Sequence, residues 1–225
     1  EVSRAIASCE GALLLVDAAQ GVESQTLSNL YLAMEHNLEI VPVVNKIDLP
    51  AADISGVKHQ IDHDLGLDGD DAVLVSAKTG VGIDELFEAI VNRFPPPTGN
   101  PSGKTKALIF DSKYDNYKGV VVHVRLIDGK LKRGDKILAM ASGREYEIVE
   151  VGYFKVGDYT EAEELKAGEV GYITASIKDI SDIRVGDTLT LKENPAKEAL
   201  SGYKEVKSMV YAGIFPADGS DYEEL

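Results

Sequence analysis

The spacing of apolar residues changes at Pro95-Pro96-Pro97, and this change divides the chain into two kinds of fold. Before the prolines, apolar strands alternate with stretches that repeat every three or four residues, the spacing of an amphipathic helix. After Lys104 the period becomes two, and glycine-containing turns separate short runs rich in β-branched residues. A run of prolines ends a helix because proline lacks the amide hydrogen and clashes with the preceding turn. The sequence therefore predicts an α/β unit followed by an all-β unit.

The first unit has the pattern of consecutive βαβ units. Strand and helix in strict alternation favour a parallel sheet. The predicted strands cover residues 11–18, 40–44 and 72–75, and the predicted helices cover residues 24–37, 57–65 and 83–94. The first strand is an unbroken apolar run, typical of a parallel strand buried on both faces. We expect it to form a sheet edge that either pairs with another chain or frays.

The second unit has the pattern of a small antiparallel barrel. Six short strands are predicted, and closing them into a barrel would avoid exposed strand edges. These strands cover residues 107–111, 119–126, 136–140, 145–151, 169–175 and 188–191. A further strand is predicted at residues 206–215, followed by the start of a helix at residues 220–225. This last strand would belong to a third domain.

The motif Asn45-Lys46-Ile47-Asp48 follows the second predicted strand and has the residue types needed to recognise guanine. Guanine presents N1–H and N2–H₂ as donors on one edge, and an ionised Asp48 carboxylate can accept from both. Adenine lacks this donor pair, so such a site discriminates strongly against it. The Lys46 stem can lie across the base plane. Asn45 can bond N7 and also join its loop to the neighbouring one.

A second motif, Ser76-Ala77-Lys78, follows the third predicted strand. Both motifs are expected on one rim, because ligand sites of parallel α/β sheets lie beyond the carboxyl ends of the strands. The backbone N–H of Ala77 would meet guanine O6 there. The predicted guanine-binding residues are Asn45, Lys46, Asp48, Ser76, Ala77 and Lys78. The alternative is an ordinary strand-to-helix turn in which Asp48 is an N-cap.

The phosphate-binding half of a nucleotide site has no match in this sequence. A loop of the form G-x-x-x-x-G-K-[ST] cradles nucleotide phosphates, and no segment has that spacing. Phosphoryl transfer relies on positioning and on charge neutralisation by such a loop, its lysine and magnesium. We therefore expect this chain to hold no catalytic residue. Alone, it should hydrolyse no GTP and bind GDP weakly or not at all.

The charge of the chain restricts its nucleic-acid partners. The formal net charge is -15, and residues 1–97 hold 5 Lys+Arg against 16 Asp+Glu. Non-specific binding to nucleic acid depends on neutralising phosphates, so no DNA partner is expected. Contact with RNA would need a basic rim on the barrel, for which solubilising or edge-protecting lysines are the alternative. The candidate residues are Lys113, Lys118, Lys130, Lys132 and Arg133.

Metal and disulfide sites are not expected. His59 and His63 have the spacing of a metal-binding pair on a helix, but no third ligand accompanies them, which favours a solvated helix face. Residues 68–71 contain aspartates without the spacing of a calcium loop, which favours a polar turn. Cys9 is the only cysteine, so no intrachain disulfide can form. We expect Cys9 to be buried on a helix.

These residues resemble the translational GTPase family. In that family, residues 45–48 would be the guanine-specificity element and residues 76–78 the last nucleotide loop. Residues 119–125, 129–135 and 185–189 are similar to the turn pattern of the family's barrel domain. Three further segments resemble the LepA type rather than the elongation factor G or BipA type. They are Tyr114-Asp115-Asn116-Tyr117-Lys118-Gly119, Ile177-Lys178-Asp179-Ile180 and Val210-Tyr211-Ala212-Gly213-Ile214-Phe215-Pro216.

The resemblance covers nearly the whole chain and implies a division into domains. Residues 1–97 would be the C-terminal half of a P-loop-type GTP-binding domain, whose residues 1–7 resemble the helix after the second switch. A linker at residues 98–103 would lead to the barrel domain at residues 104–194. Residues 195–225 would be a further linker and the start of an α+β third domain.

The resemblance also implies a function in protein synthesis. The parent protein would be a ribosome-dependent GTPase that promotes back-translocation or fidelity, with ribosomal RNA and proteins as partners. It would use GTP or GDP with Mg²⁺, and none of these is expected on this chain alone. Another translational GTPase, or a non-catalytic α/β module joined to a barrel that contacts the ribosome, is the alternative.

The expected location is the cytoplasm. No apolar segment approaches the roughly 20 residues that a membrane helix needs. Peripheral association with the inner face of the bacterial membrane is left open.

Overall fold

The computed structural model describes residues 5–177 and 182–201, and it confirms the predicted α/β unit followed by a β-barrel. Strands and helices alternate in the first unit: β1 (Gly11–Asp17), α1 (Ser24–Glu35), β2 (Glu39–Asn45), α2 (Ile54–Leu65), β3 (Val73–Leu74) and α3 (Ile83–Arg93). The second unit contains nine strands among the described residues. They are β4 (Lys106–Asp115), β5 (Gly119–Asp128), β6 (Lys130–Lys132), β7 (Lys136–Ala139), β8 (Glu145–Lys155), β9 (Asp158–Glu161), β10 (Glu164–Lys166), β11 (Val170–Ala175) and β12 (Thr188–Leu191).

The α/β unit is a parallel sheet in the order β1-β2-β3. Its central strand is buried on both faces, because successive side chains of a strand point to opposite sides. Val43 packs in a cluster with Val75 and with Ala89 of α3. Val44 packs in a second cluster with residues of α1 and α2, including Leu30 and Ile61. Helices therefore cover both faces of the sheet and fix the ends of the strands.

Strand β1 forms one edge of the described sheet, as expected, but it is not buried on both faces. Leu14 and Val16 are buried, whereas Leu15 is 56% exposed. Leu13, which shares a side of the strand with Leu15, packs against the cluster that contains Ala89 of α3, so this side of β1 is covered in part. The strand pairs with β2 over its whole length, from Gly11 opposite Glu39 to Asp17 opposite Asn45. Pairing of β1 with another chain stays a prediction.

Six strands of the second unit close into a ring. The order is β11-β5-β4-β12-β7-β8, and β11 also pairs with β8, which completes the circuit. The interior is filled by one apolar cluster, to which β5 contributes every second residue: Val120, Val122, Val124 and Leu126. Strand β9 extends β8 outside the ring, and β6 pairs with β10.

The two units contact each other where β5 lies beside the segment that precedes β1. The Arg125 guanidinium donates to the carbonyl oxygens of Ala7 and Cys9 at 3.2 and 3.4 Å, and it forms an ion pair with Glu10. In the connecting segment, the N–H of Asn100 donates to the Asp128 carboxylate at 3.0 Å. Arg125 and Asp128 are both on β5, so this strand holds the start of the α/β unit and the linker.

One prediction is wrong and others lie outside the described residues. Cys9 is exposed and lies after a short helical segment, where its thiol donates to the carbonyl oxygen of Ala5 at 3.3 Å. The predicted strand at 206–215 and helix at 220–225 are outside the described residues, as are residues 1–4 of the segment 1–7. No helix in the described part of the chain is long and apolar enough to cross a membrane.

Candidate guanine-binding site

The predicted site residues lie on one rim of the parallel sheet. Asn45 is the last residue of β2, and residues 46–48 form the loop that follows it. The loop of residues 76–78 follows β3, which pairs with β2 in parallel. The N–H of Ile47 donates to the carbonyl oxygen of Val75 at 3.4 Å, so the two loops are also joined by their backbones. The fold thus brings all six predicted residues to the same end of the sheet.

Asn45 links the two loops through its side-chain oxygen. This Oδ1 accepts from the N–H of Lys46 at 2.7 Å and from the N–H of Ala77 at 3.1 Å. Its backbone carbonyl oxygen accepts from the N–H of Ala18 at 2.8 Å, which adds the loop after β1. Because the amide oxygen is used within the protein, the amide NH₂ is the part of Asn45 suited to an acceptor such as guanine N7.

Asp48 presents an ionised carboxylate at this rim. The hydroxyl of Ser76 donates to Asp48 Oδ1 at 2.6 Å, and the same hydroxyl accepts from the N–H of Thr79 at 3.2 Å. Ser76 is completely buried, whereas Asp48 is exposed. The hydrogen bond from Ser76 is the main cause of a lowered Asp48 pKa, to which the positive charge of Lys78 also contributes. A carboxylate in this state accepts only, which matches the donor pair of guanine.

The N–H of Ala77 is not free to meet guanine O6 in the way the sequence suggested. It donates to Asn45, so a contact with O6 would have to share this hydrogen or replace the existing bond. The loop is otherwise tightly closed, since Ser76 and Val81 form a bridge and the N–H of Gly80 donates to the Ser76 carbonyl oxygen at 2.8 Å. Lys78 is exposed beside it.

Lys46 has an unusual backbone and an ion-pair partner that sequence reasoning missed. Its φ is +66°, a left-handed conformation that is uncommon for a residue other than glycine. Its ammonium lies 2.6 Å from Oδ2 of Asp17, the last residue of β1. Hydrogen bonding to Lys46 is the main cause of a lowered Asp17 pKa, and the same bond raises the Lys46 pKa. The parallel pairing of β1 with β2 places Asp17 opposite Asn45, and this register is the signal that could have identified it.

The rim is open rather than a closed pocket. A groove with a volume of about 790 Å³ runs along α3 of the α/β unit. Its lining includes Ile47 and Val81 together with acidic residues of α3, and it includes none of the six predicted residues. The base would therefore lie on the rim between the two loops, with one face accessible to solvent.

The five basic residues proposed for RNA contact do not form one rim. Lys113 and Lys118 lie near the turn between β4 and β5, where both ammonium groups approach the Tyr159 ring at 4.9 and 5.9 Å. Lys118 also forms an ion pair with Glu150. The other three, Lys130, Lys132 and Arg133, follow the far end of β5. The ten residues of β5, which span at most about 33 Å, lie between Lys118 and the second group.

The two candidate metal sites also have simpler structural roles. His59 and His63 are exposed on α2, with their ring centroids 6.0 Å apart. In the loop 68–71, Asp68 accepts from the backbone N–H groups of Asp70 and Asp71, as expected for a polar turn. Across the described ranges, no group of three or more His, Cys, Asp or Glu side chains could hold a metal ion.

Comparison with known proteins agrees with the two-unit structure. Residues 1–96 match the family described as Elongation factor Tu GTP binding domain, and residues 119–190 match the family described as Elongation factor Tu domain 2. Elongation factor 4 of Treponema denticola is 63% identical to this chain over 225 residues. Elongation factor 4 proteins of Aquifex aeolicus and Clostridium acetobutylicum are 58% and 57% identical over the same length.

Each of these alignments covers 100% of this chain, which spans 37% of the length of each relative. The similarity continues through both units and across the linker between them. It also agrees with the LepA-type segments noted in the sequence, because LepA is another name for elongation factor 4. Over its whole length the chain is similar to elongation factor 4 proteins, and its first unit matches the GTP-binding domain family of elongation factor Tu.

Proposed function

We propose that the rim formed by the two loops recognises the guanine base of GTP or GDP. The observation that carries this proposal is the Asp48 carboxylate, to which the buried hydroxyl of Ser76 donates at 2.6 Å in a bond that lowers the Asp48 pKa. An ionised carboxylate can accept from both donors on the guanine edge. Asn45 supplies an amide NH₂ beside it, and Lys46 and Lys78 supply positive charge. The assigned residues are Asn45, Lys46, Asp48, Ser76, Ala77 and Lys78.

The whole protein, on this proposal, is a GTPase that acts in protein synthesis on the ribosome. The relatives that match this chain are elongation factors, and the first unit matches a GTP-binding domain. The described residues contribute recognition of the base, and no catalytic residue is assigned among them. GTP or GDP with Mg²⁺ is the proposed cofactor of the whole protein, and no Mg²⁺ ligand is assigned among the described residues. Promotion of back-translocation or fidelity is the finer role that we propose.

We also propose the domain limits and the partners. Residues 1–97 would be the later part of the GTP-binding domain, residues 98–103 a linker, residues 104–194 the barrel domain, and residues 195–225 a linker and the start of a third domain. The matches at 1–96 and 119–190 support this division. Ribosomal RNA and proteins are the proposed partners, with contacts by two separate groups of basic residues, which are Lys113 with Lys118, and Lys130 with Lys132 and Arg133. The proposed location is the cytoplasm, and nothing in the described residues supports peripheral binding to a membrane.

Base selectivity tests the proposed site in the full-length protein. Asp48→Asn should weaken GDP binding by roughly 100-fold, because two charge-assisted hydrogen bonds are lost. The same variant should bind xanthosine diphosphate more tightly than the parent does, because an amide can donate to the 2-oxo group of xanthine. Dissociation constants for both nucleotides can be measured by fluorescence titration.

The matched control is Asp64→Asn, an exposed position on α2. It removes the same charge away from the rim and should leave both dissociation constants unchanged. An Asp48→Asn protein with the parent's preference for guanine over xanthine would contradict the role assigned to Asp48.

A further inference from the structure

The side chain of Lys46 is held in place by an ion pair within the protein. Its ammonium lies 2.6 Å from Oδ2 of Asp17, a carboxylate that is only 15% exposed. The Lys46 side chain is itself 55% exposed. A lysine at such a position would otherwise sample many rotamers, and ordering it on binding would reduce affinity.

We propose that Asp17 is a positioning residue of the guanine site, which acts by fixing Lys46 across the rim. This inference rests on the proposed function of that rim. We assign Asp17 no contact with the base, because its carboxylate bonds its own loop and the Lys46 ammonium. Asp17 would raise the affinity for every nucleotide whose base lies under the Lys46 stem. Selectivity between guanine and other bases would depend on Asp48.

Hydrogen bonds fix the Asp17 side chain and backbone, so its carboxylate can hold Lys46 in one position. Its Oδ1 accepts from the N–H of Ala19 at 2.8 Å and from the N–H of Gln20 at 3.3 Å. Its carbonyl oxygen accepts from the N–H of Gly21 at 2.8 Å. These bonds close a tight turn at the end of β1 and aim Oδ2 at the neighbouring loop.

The backbone of Lys46 is fixed as well. Its φ of +66° is held by the bond from its N–H to Asn45 Oδ1, while the next loop is tied to the same oxygen. With the backbone and the ammonium both held, the alkyl stem has few conformations left. The Glu23 carboxylate adds a weaker attraction to the ammonium, and we find no hydrogen bond between them in the described residues.

Asp17 has two roles that different properties of its side chain support. Its oxygen atoms accept the hydrogen bonds that close the turn, and its negative charge holds the Lys46 ammonium. Asn at position 17 retains an oxygen that can accept from Ala19 and Gln20, so it keeps the turn. It removes the negative charge, so it releases Lys46. Asp17→Asn is therefore the informative substitution, and Asp17→Ala is not, because Ala would also open the turn.

The test is a double-mutant cycle in the full-length protein with GDP as the probe. Asp17→Asn should weaken GDP binding by about 5- to 10-fold, the scale expected for one rotamer-rich side chain. The ratio of GDP to xanthosine diphosphate affinity should not change. In a Lys46→Met background, Asp17→Asn should have no further effect, because the two residues act as one unit. Glu23→Gln is the matched carboxylate control and should have a smaller effect than Asp17→Asn.

A spectroscopic signature adds a second readout. The pKa of Lys46, followed by NMR of its ammonium, should fall towards its usual value in Asp17→Asn. If Lys46→Met does not fold, this titration together with the loss of GDP affinity in Asp17→Asn decides the question. An equal effect of Asp17→Asn with and without Lys46, an unchanged GDP affinity, or an unchanged Lys46 pKa would each overturn the inference.

Failure of this inference differs from failure of the proposed function. A wild-type protein that does not bind GDP, or an Asp48→Asn protein with unchanged base preference, would refute the guanine site itself. If Asp48→Asn switches the base preference and Asp17→Asn leaves GDP affinity intact, only the role of Asp17 is refuted.

Discussion

Arg125 on β5 of the barrel forms an ion pair with Glu10, the residue that precedes β1 of the α/β unit. The Arg125 side chain is 13% exposed and that of Glu10 is 26% exposed. The same guanidinium donates to the carbonyl oxygens of Ala7 and Cys9. One side chain therefore satisfies three acceptors of the other unit. Such a partly buried pair with additional hydrogen bonds contributes more than an exposed surface pair.

Replacing Arg125 should loosen the contact between the units. We expect Arg125→Ala to lower the free energy of unfolding by about 2 kcal/mol, because charged hydrogen bonds are lost and Glu10 keeps no cation among the described residues. Urea denaturation would measure this change. Lys130→Ala is the control, since Lys130 is 56% exposed and lies 3.5 Å from Glu164. Its loss should cost no more than about 0.5 kcal/mol, and equal losses for both variants would contradict the role of Arg125.

The hydroxyl of Ser76 should lower the pKa of Asp48. Its hydroxyl donates to Asp48 Oδ1, and this bond is the main cause of the lowered Asp48 pKa. We expect Ser76→Ala to raise the Asp48 pKa towards 3.8, the ordinary value of an aspartate. A ¹³C NMR titration of the Asp48 carboxyl carbon would detect the shift. Ser28→Ala is the control, because Ser28 lies on α1 and donates to its own helix.

The pH dependence of this hydrogen bond follows from the direction of the shift. A carboxylate whose pKa is lowered on folding contributes stability that is fully present above its unfolded pKa. The contribution is lost as the pH falls through the lower, folded pKa. Stability of the parent and of Ser76→Ala should therefore converge as the pH falls below 3.8. A difference between them that grows in this acidic range would contradict the assignment.

The sequence was sufficient to predict the α/β unit and the main strands of the barrel. The motif at 45–48 could be located because its polar and charged residues follow directly after an apolar strand. The short strands β6, β9 and β10 were missed. Each has three or four residues, and segments such as Lys-Leu-Lys in β6 are charged on either side of one apolar residue. Their pairing depends on distant partners, as between Lys130 and Lys166, which local pattern does not reveal.

Asp17 was missed for a different reason. The sequence placed it within the predicted strand 11–18, whereas the strand ends at Asp17 and the carboxylate accepts from the N–H of Ala19 in a turn. Its contact with Lys46 spans 29 positions of sequence and depends on which strands are neighbours. The wrong prediction that Cys9 is buried has the same cause, because its exposure depends on where the segment before β1 lies. The spacing of apolar residues therefore predicted which segments form helices and strands. It did not predict the side-chain contacts that depend on how one element packs against another.

The helix α3 depends on a glycine at its start. Gly82 has φ +74°, and a Cβ at this position would lie 2.0 Å from the carbonyl oxygen of Leu74. We expect Gly82→Ala to lower the free energy of unfolding by about 3 kcal/mol or more, since backbone strain and a backbone clash add. Gly80→Ala is the matched control, because Gly80 has φ +82° but nothing within 4 Å of the added Cβ. It should cost only about 1 kcal/mol, and similar losses in urea denaturation would contradict the clash.

The hydroxyl of Tyr172 should stabilise the barrel through Glu150. Tyr172 is fully buried and donates to the Glu150 carboxylate, which also pairs with Lys118. Burial raises the pKa of Tyr172, and the Glu150 charge raises it further, so the phenol stays protonated and able to donate. We expect Tyr172→Phe to lower the free energy of unfolding by about 1 to 2 kcal/mol, the scale of one hydrogen bond to a charged group. Tyr117→Phe removes the same hydroxyl from a side chain that is 99% exposed, and it should change stability by less than about 0.5 kcal/mol. If urea denaturation gave equal changes for the two variants, the Tyr172 bond would contribute nothing beyond burial of the ring.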